Sequence, residues 1–220
     1  MARSSLRIVA GAKERRSATA GGKPKRFCLK ISLPFALLFA LNAFAADEAQ
    51  IERGKYLATA ANCQSCHTRA RGEAFAGGLA FTTDFGTIYS TNITPDRETG
   101  IGNWSEVDFE RALRSGEGPD GKHYYPAFPY TAFTGMSDDD VSALYAYLMS
   151  VPAANATTPE NDLSFPYSQR WLLGAWKWRH FDEGRFVPDD SKSAEWKRGA
   201  YLVKAVAHCG ACHSPRTWLR

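Results

Sequence analysis

The feature that most constrains this chain is a pair of Cys-x-x-Cys-His motifs at residues 63–67 and 209–213. Two thiols one helical turn apart can form thioether bonds to the two vinyl groups on one edge of a porphyrin, and the adjacent imidazole then lies under the iron. This motif is the attachment signature of c-type haem. The sequence therefore predicts two covalently bound haem c groups, attached through Cys63, Cys66, Cys209 and Cys212, with His67 and His213 as iron ligands.

Three other uses of the cysteines are compatible with the pairs alone: a zinc site, a thioredoxin-like dithiol and two structural disulfides. The two halves of a zinc site usually lie closer together, and a dithiol needs a βαβ context that the sequence does not show. None of the three requires a histidine directly after the second cysteine. The repetition of that histidine favours haem attachment.

The segments before the two motifs are also related. Residues 53–57 read Arg-Gly-Lys-Tyr-Leu, and residues 198–202 read Arg-Gly-Ala-Tyr-Leu. The two arginines are 145 residues apart and the first cysteines 146, so the second copy has one additional residue between this leader and its motif. Both leaders are rich in alanine and compatible with a helix. The duplication predicts a tandem of cytochrome modules.

The first 45 residues are predicted to be a cleaved export signal. Residues 1–30 hold nine basic side chains and one acidic side chain, an apolar run covers residues 31–45, and Ala43-Phe44-Ala45 provides a small-x-small cleavage site. The run is shorter than the about 20 residues of a spanning helix, and an uncleaved anchor is the alternative. Cys28 precedes the run and would be lost with the signal.

The basic character of the whole chain comes from this signal. The chain has 27 basic and 23 acidic side chains, a net charge of +4, whereas residues 46–220 have 18 basic and 22 acidic ones, a net charge of −4. A negative mature chain gives no support to nucleic-acid binding. The predicted location is the periplasm, in association with the cytoplasmic membrane.

Residues 46–152 are predicted to form a mainly α cytochrome c domain with long loops. Helices are predicted over residues 48–61, over 104–114 with Ser105 as N-cap and Asp108 at the third position beyond it, and over 137–149. The acidic run after Ser137 is interpreted as the start of that last helix rather than an ion site. Its buried face is predicted from the helical spacing of Val141, Leu144, Tyr145 and Leu148. Residues 72–102 are predicted to be irregular loops, and no segment predicts a sheet.

Residues 153–191 are predicted to be a connector, and residues 192–220 the start of an incomplete second cytochrome c domain. The connector has an aromatic and basic centre over residues 165–181. Packing between two haem domains is the preferred interpretation of this centre, and an interfacial membrane helix is the alternative. Only seven residues follow His213. The second domain is therefore expected to be truncated.

Several longer motifs resemble those of one family. They are Tyr89-Ser90-Thr91-Asn92-Ile93-Thr94-Pro95, Gly100-Ile101-Gly102-Asn103-Trp104-Ser105, Tyr125-Pro126-Ala127-Phe128-Pro129-Tyr130, Met136-Ser137-Asp138 and Cys212-His213-Ser214-Pro215-Arg216. With the two haem motifs, they resemble the multihaem cytochrome c subunit of membrane-bound bacterial dehydrogenases. That group serves alcohol, gluconate or aldehyde oxidation, or is associated with molybdenum hydroxylases.

The resemblance implies class I cytochrome domains and a role as an electron conduit. A partner dehydrogenase would oxidise the substrate, and the haems would relay electrons toward membrane quinone or another acceptor. This chain would then be an electron-transfer subunit without a small-molecule substrate of its own. Relatives carry three haem domains and an anchor, so the chain is expected to represent the first domain, the connector and the opening of the second.

The sixth iron ligand of the first haem is less well defined. Many class I cytochromes place a methionine just before a proline in the loop ahead of the last helix, where this chain has Phe128-Pro129. Phenylalanine cannot bind iron, and residues 46–220 have only two methionines. Met136 is the predicted distal ligand and His123 the alternative. Met149, His180 and His208 are predicted to have core, structural or surface roles.

Two other functions are compatible with the sequence. A dihaem cytochrome c peroxidase also carries two such motifs about this far apart, and it would use an open coordination position of the kind that Phe128 would leave. A truncated, non-functional remnant that still attaches haem is the other alternative.

Overall fold

The structure is a computed structural model that describes the backbone of residues 33–215 and the side chains of residues 47–215. Most of the predicted export signal therefore lies outside the described residues. From Ala40 onward the chain forms one compact unit, and Leu33–Phe39 are the start of the first helix. The predicted cleavage point after Ala45 falls within that helix.

Helices dominate this unit, which confirms the mainly α prediction. In chain order the helices are α1 (Leu33–Ala60), α2 (Cys63–Cys66), α3 (Glu106–Ser115), α4 (Tyr130–Phe133), α5 (Asp138–Ser150), α6 (Trp171–His180), α7 (Ala194–Tyr201) and α8 (Gly210–His213). A π-helical turn, Leu202–Val206, continues α7. The strands are β1 (Ala80–Thr83), β2 (Gly86–Tyr89) and β3 (Asp162–Leu163).

The core lies between α1, α3 and α5. Leu57 of α1, Leu113 of α3 and Leu144 of α5 are at most 4% exposed and belong to one hydrophobic cluster. The predicted buried face of α5 is confirmed, because Val141 and Leu148 are also buried. Tyr145 is half-buried and donates its hydroxyl to the carbonyl of Trp104 at 2.8 Å.

Two caps fix the starts of α3 and α5. Ser105 accepts a hydrogen bond from the amide of Asp108, and the Asp108 carboxylate accepts one from the amide of Ser105. This capping box satisfies two backbone donors at once. Ser137 caps α5 by accepting from the amide of Asp140. Both predicted helix starts are therefore confirmed.

The expectation that residues 72–102 form only irregular loops was wrong, as was the absence of a predicted sheet. Strands β1 and β2 pair as an antiparallel hairpin with Ala80 opposite Tyr89 and Thr83 opposite Gly86, and β3 adds to the edge of β2. The segment is rich in the β-branched and aromatic residues that favour strands. It lacks the Asn-Gly or Asp-Gly turn that usually identifies a two-residue hairpin from sequence. Gly86 has a φ of 125°, which favours glycine.

The connector packs on the first domain through one end of α3. The Nζ of Lys177 on α6 donates to the carbonyls of Ser115 and Gly116 at 2.6 and 2.7 Å and to Nδ1 of His123 at 3.0 Å. A lysine at this place satisfies the free carbonyls of a helix end. A neighbouring face of α6 remains open, because Trp171 and Trp178 are 70% and 87% exposed. The connector helix therefore packs on a haem domain through one of its sides.

Among the residues that the structure describes, none of the helices combines the length and apolarity that a membrane crossing requires.

The second leader also packs on the first domain. Ala205 and Val206 in the π-helical turn are at most 1% exposed and belong to the same hydrophobic cluster as Leu57. A π-helical turn accommodates one residue more than the α-helix it interrupts. It lies where the second copy has its additional residue, so the insertion is absorbed within the helix.

Asp140 on α5 joins the two leaders. Its carboxylate is 1% exposed and accepts from Nε of Arg53 in the first leader and from the hydroxyl of Tyr201 in the second, each at 2.6 Å. Arg198 of the second leader lies 3.7 Å from the same carboxylate. The acidic run is therefore a helix start, as predicted, and one of its members is a buried ion-pair partner.

Equivalent glycines of the two leaders provide the first prediction. A Cβ on Gly54 would lie 2.0 Å from the carbonyl oxygen of Ala143 in α5, whereas a Cβ on Gly199 would meet nothing within 4 Å. We expect Gly54→Ala to lower the free energy of unfolding by more than about 2 kcal/mol, because two backbones must separate. Gly199→Ala should raise it by roughly 0.5–1 kcal/mol, the helix propensity difference.

Urea denaturation of the two single variants measures this difference. Equal effects of the two substitutions would contradict the close crossing of α1 and α5.

Candidate functional site

The first Cys-x-x-Cys-His motif begins where α1 ends. Asn62 takes a left-handed conformation, with a φ of 58°, and α2 starts directly after it. Asparagine tolerates this conformation better than most residues. The one-turn helix places Cys63 and Cys66 on one side, both half-buried and both free thiols. This is the arrangement that two thioether bonds to one porphyrin edge require.

The His67 ring is held by one backbone carbonyl. Its Nδ1 lies 2.7 Å from the carbonyl oxygen of Thr91 and donates to it, since the oxygen can only accept. In a neutral imidazole the other nitrogen, Nε2, then carries the lone pair that binds a metal. Burial lowers the pKa of His67, which favours the neutral form, although the bond to Thr91 opposes this shift. The residue therefore fits the role of an iron ligand.

A close backbone contact makes this hydrogen bond possible. The amide of Gly77 donates to the carbonyl of His67 at 2.7 Å, and Gly77 has a φ of 72°. A Cβ at this position would lie 2.4 Å from the carbonyl carbon of Thr91. Only glycine therefore allows the chain after the motif to lie against the loop that carries Thr91.

The Thr91 loop is ordered by a buried polar network centred on Asn92. Its Oδ1 accepts from the amide and hydroxyl of Thr94 at 2.9 and 2.8 Å, and its Nδ2 donates to the carbonyl of Ala154 at 2.7 Å and to the hydroxyl of Thr99 at 3.0 Å. Asn92 and Thr94 are at most 3% exposed. The Asn-x-Thr part of the motif at residues 89–95 thus supports the carbonyl that orients His67.

Burial disfavours the ionised form of both attachment thiols. Burial raises the pKa of Cys63 to about 12, and the neighbouring Cys66 adds to the increase. Burial also raises the pKa of Cys66. Neither group therefore has the lowered thiol pKa of a reactive redox dithiol.

Met136, the predicted distal ligand, lies in the hydrophobic cluster and is fully buried. Arg114, itself 3% exposed, fixes its backbone by donating from Nη1 to the carbonyls of Met136 and Thr134 at 2.7 and 3.2 Å. Phe128, at the position where many class I cytochromes have methionine, is half-buried and stacks edge-to-face on Phe133. The role of Met136 as iron ligand stays a prediction.

His123, the alternative ligand, contacts the connector. Its Nδ1 accepts from Lys177, and its Nε2 lies 3.1 Å from where a Cβ of Gly174 on α6 would be. Both ring nitrogens therefore face elements of the connector. Met149 packs against the hydrophobic cluster, as expected for a core residue.

The second motif has the same local pattern in a more open setting. His208 takes a left-handed conformation, with a φ of 43°, at the position equivalent to Asn62, and α8 follows. Cys209 is half-buried, whereas Cys212 and His213 are exposed. Both cysteines are free thiols. In each motif, the two cysteines and the histidine lie on or directly beside a single one-turn helix.

Sequence reasoning missed the residues that support the site. Arg114 and Asp140 are buried polar side chains with partners that are distant in sequence. Asn92, in contrast, bonds to nearby Thr94 and Thr99 as well as to distant Ala154. In the sequence, Asn92 and Thr94 stand out only through the family resemblance. A signal existed in the run of small polar residues before Pro95, because such residues bond readily to nearby backbone.

Comparison with known proteins gives this site a family. Residues 51–152 match the family described as cytochrome c. These residues form a cytochrome c domain. Such domains bind haem covalently, so the prediction of haem c as the kind of cofactor is confirmed.

The chain is also similar to subunits of bacterial dehydrogenases. It is 55% identical over 168 residues to a nicotinate dehydrogenase subunit of Pseudomonas putida, 48% over 177 residues to the fructose dehydrogenase cytochrome subunit of Gluconobacter japonicus, and 46% over 175 residues to the gluconate 2-dehydrogenase cytochrome c subunit of Pantoea cypripedii. These matches cover 76%, 79% and 78% of this chain but 14%, 36% and 40% of the relatives. The predicted resemblance to dehydrogenase cytochrome subunits is confirmed.

The Asn92 network provides the second prediction. Asn92→Ala removes the acceptor of Thr94 and the donor to Ala154, so we expect a loss of about 1–3 kcal/mol in the free energy of unfolding. The midpoint potential of the haem attached at Cys63 and Cys66 should also shift, because Thr91 no longer holds His67 in place.

Asn155→Ala is the matched control, since Asn155 is exposed and its side chain bonds to the carboxylates of Glu98 and Asp96 at the surface. Denaturation and potentiometric titration of both variants measure the two effects. If both variants retain the wild-type potential, the loop does not orient His67.

Proposed function

We propose that this protein transfers electrons through covalently bound c-type haem, from a partner dehydrogenase toward membrane quinone or another acceptor. The observation that carries the proposal is the His67–Thr91 hydrogen bond beside two half-buried thiols in a cytochrome c domain. The names of the relatives, as cytochrome subunits of fructose and gluconate dehydrogenases, support a dehydrogenase as the electron donor. Catalysis is assigned to that partner.

Bound haem supplies a one-electron iron couple. The chain's own residues hold the His67 side chain that would bind the iron. His67 is oriented by Thr91, and Gly77 and the Asn92 network keep Thr91 in place. Because the supporting residues are buried and hydrogen-bonded, little rearrangement is needed when an electron arrives or leaves. A fixed site is what an electron conduit needs.

The second haem is proposed to attach at Cys209 and Cys212, with His213 as its proximal ligand. Its motif repeats the local conformation of the first, with a left-handed residue followed by a one-turn helix. The exposure of Cys212 and His213 leaves room on that side of α8 for a porphyrin.

Export and location complete the proposal. Covalent haem attachment suits a protein that works outside the cytoplasm, and the basic and apolar segments at residues 1–45 have the order of an export signal. We therefore place the protein in the periplasm, cleaved after Ala45 and associated with the cytoplasmic membrane through its complex.

The test is haem chemistry on the exported protein. We expect haem to remain bound after denaturation, in a ratio of two per chain, and to be oxidised and reduced reversibly without turnover of hydrogen peroxide. Cys63→Ala should lower the covalent haem content, whereas Gln64→Ala, an exposed change inside the same motif, should not.

Two results would overturn the proposal. Absence of any covalent haem in the wild-type protein contradicts the cofactor assignment. Rapid turnover of hydrogen peroxide contradicts electron relay and favours the dihaem peroxidase alternative.

The distal ligand is tested by a matched pair of methionine variants. Met136→Leu keeps the volume of the buried side chain, so a change of spin state in the oxidised haem would come from loss of the thioether ligand. We expect that change for Met136→Leu and not for Met149→Leu, measured by visible and electron paramagnetic resonance spectra. Unchanged spectra in both variants would exclude Met136 as the sixth iron ligand and leave His123 as the alternative.

A further inference from the structure

One hydrogen bond joins the residues that lie just before the two haem motifs. Nε2 of His208 lies 3.2 Å from the carbonyl oxygen of Ala61, and it must donate because the oxygen only accepts. His208 immediately precedes Cys209, and a single residue separates Ala61 from Cys63. Along this path the first cysteines of the two motifs are within about 20 Å of one another.

Packing reinforces the contact. The ring of His208 lies edge-to-face on Phe133, with centroids 5.7 Å apart, and Phe133 is 4% exposed. Val206, two residues before His208, is fully buried in the core of the first domain. The segment that follows the second leader is thus fixed by a polar contact at the end of α1 and by apolar contacts elsewhere in the first domain.

The backbone of His208 has to be turned to reach Ala61. Its φ of 43° is left-handed, as is the φ of 58° at the equivalent Asn62. Asn62 bonds within its own motif, through its carbonyl to the hydroxyl of Ser65. His208 instead uses a longer side chain to bond to the other module.

We propose that His208 is a positioning residue that holds the two haem-attachment motifs at a fixed separation. This rests on the proposed attachment of haem at both motifs and extends it to their geometry. A fixed separation gives a single haem–haem distance for electron exchange, whereas a mobile second motif would give many different distances. His208 contacts neither cysteine pair through its side chain in the contacts described, so its effect is transmitted through Ala61.

Two variants separate the hydrogen bond from the backbone conformation. His208→Gln places an amide nitrogen at about the reach of Nε2 and can still donate to Ala61. His208→Asn is too short to reach Ala61, although it suits the left-handed conformation better than glutamine does. Trp178→Ala, at an exposed site on the connector, is the control.

The measurement is the distribution of iron–iron distances in the oxidised protein with two haems, obtained by pulsed electron paramagnetic resonance. We expect one narrow distribution for the wild-type protein, Trp178→Ala and His208→Gln. His208→Asn should broaden it at least about twofold, because the segment before Cys209 loses its hydrogen bond to Ala61 and can move locally.

The outcomes are distinguishable from failure of the proposed function. Absence of covalent haem, or of a second haem, in the wild-type protein defeats the function proposal, and no distance is then measured. A narrow distribution in His208→Asn, or a broad one in both His208 variants, overturns the role of the hydrogen bond while the haem assignment stands. Haem content per chain, measured on every variant, identifies any loss of attachment.

Discussion

The close crossing of α1 and α5 at Gly54 is the constraint on which the site depends. Residue 54 lies so near the carbonyl of Ala143 that any side chain there would displace one helix. Because α1 ends just before Cys63, the crossing sets where the first haem motif emerges. It also brings Arg53 to the buried carboxylate of Asp140, so that the ion pair and the backbone contact stabilise one arrangement. Because the Arg53 side chain is 50% exposed, solvent screens this pair, and its contribution is smaller than that of a fully buried one.

The same leader sequence has different surroundings in its two copies. Tyr56 is 50% exposed, whereas Tyr201 donates to Asp140 and accepts from the amide of Ser137. Gly54 touches α5, whereas Gly199 has open space around it. The repeat in the sequence therefore predicted that both leaders form helices, but it did not predict which residues each helix contacts. Burial and the Asp140 carboxylate raise the pKa of Tyr201, which keeps the phenol a hydrogen-bond donor.

Local signals in the sequence predicted most of the helices and the attachment residues. Caps at Ser105 and Ser137 were predictable because capping depends on residues three apart. The hairpin over 80–89 was not, because its turn lacks the usual Asn-Gly or Asp-Gly signal. The third strand of the sheet, β3, comes from the connector, so its pairing is not visible in the local sequence. The support of His67 was not predictable either, since the carbonyl it bonds to has no side-chain signature and lies 24 residues away. Buried polar side chains such as Arg114 look like surface residues in a sequence until their partners are known.

The additional residue of the second copy allows its helix to pack on the first domain and then to end in a turn that contacts the first copy. An extra residue in an α-helix would rotate everything after it by about 100° if it were not absorbed. The π-helical turn absorbs it while Ala205 and Val206 remain buried against the first domain. The chain then turns at His208, whose side chain reaches Ala61. In the first copy there is no inserted residue, and the Asn62 side chain bonds to Ser65 of its own motif. The insertion is therefore coupled to a contact that the first copy does not make, a side chain that crosses from one module to the other.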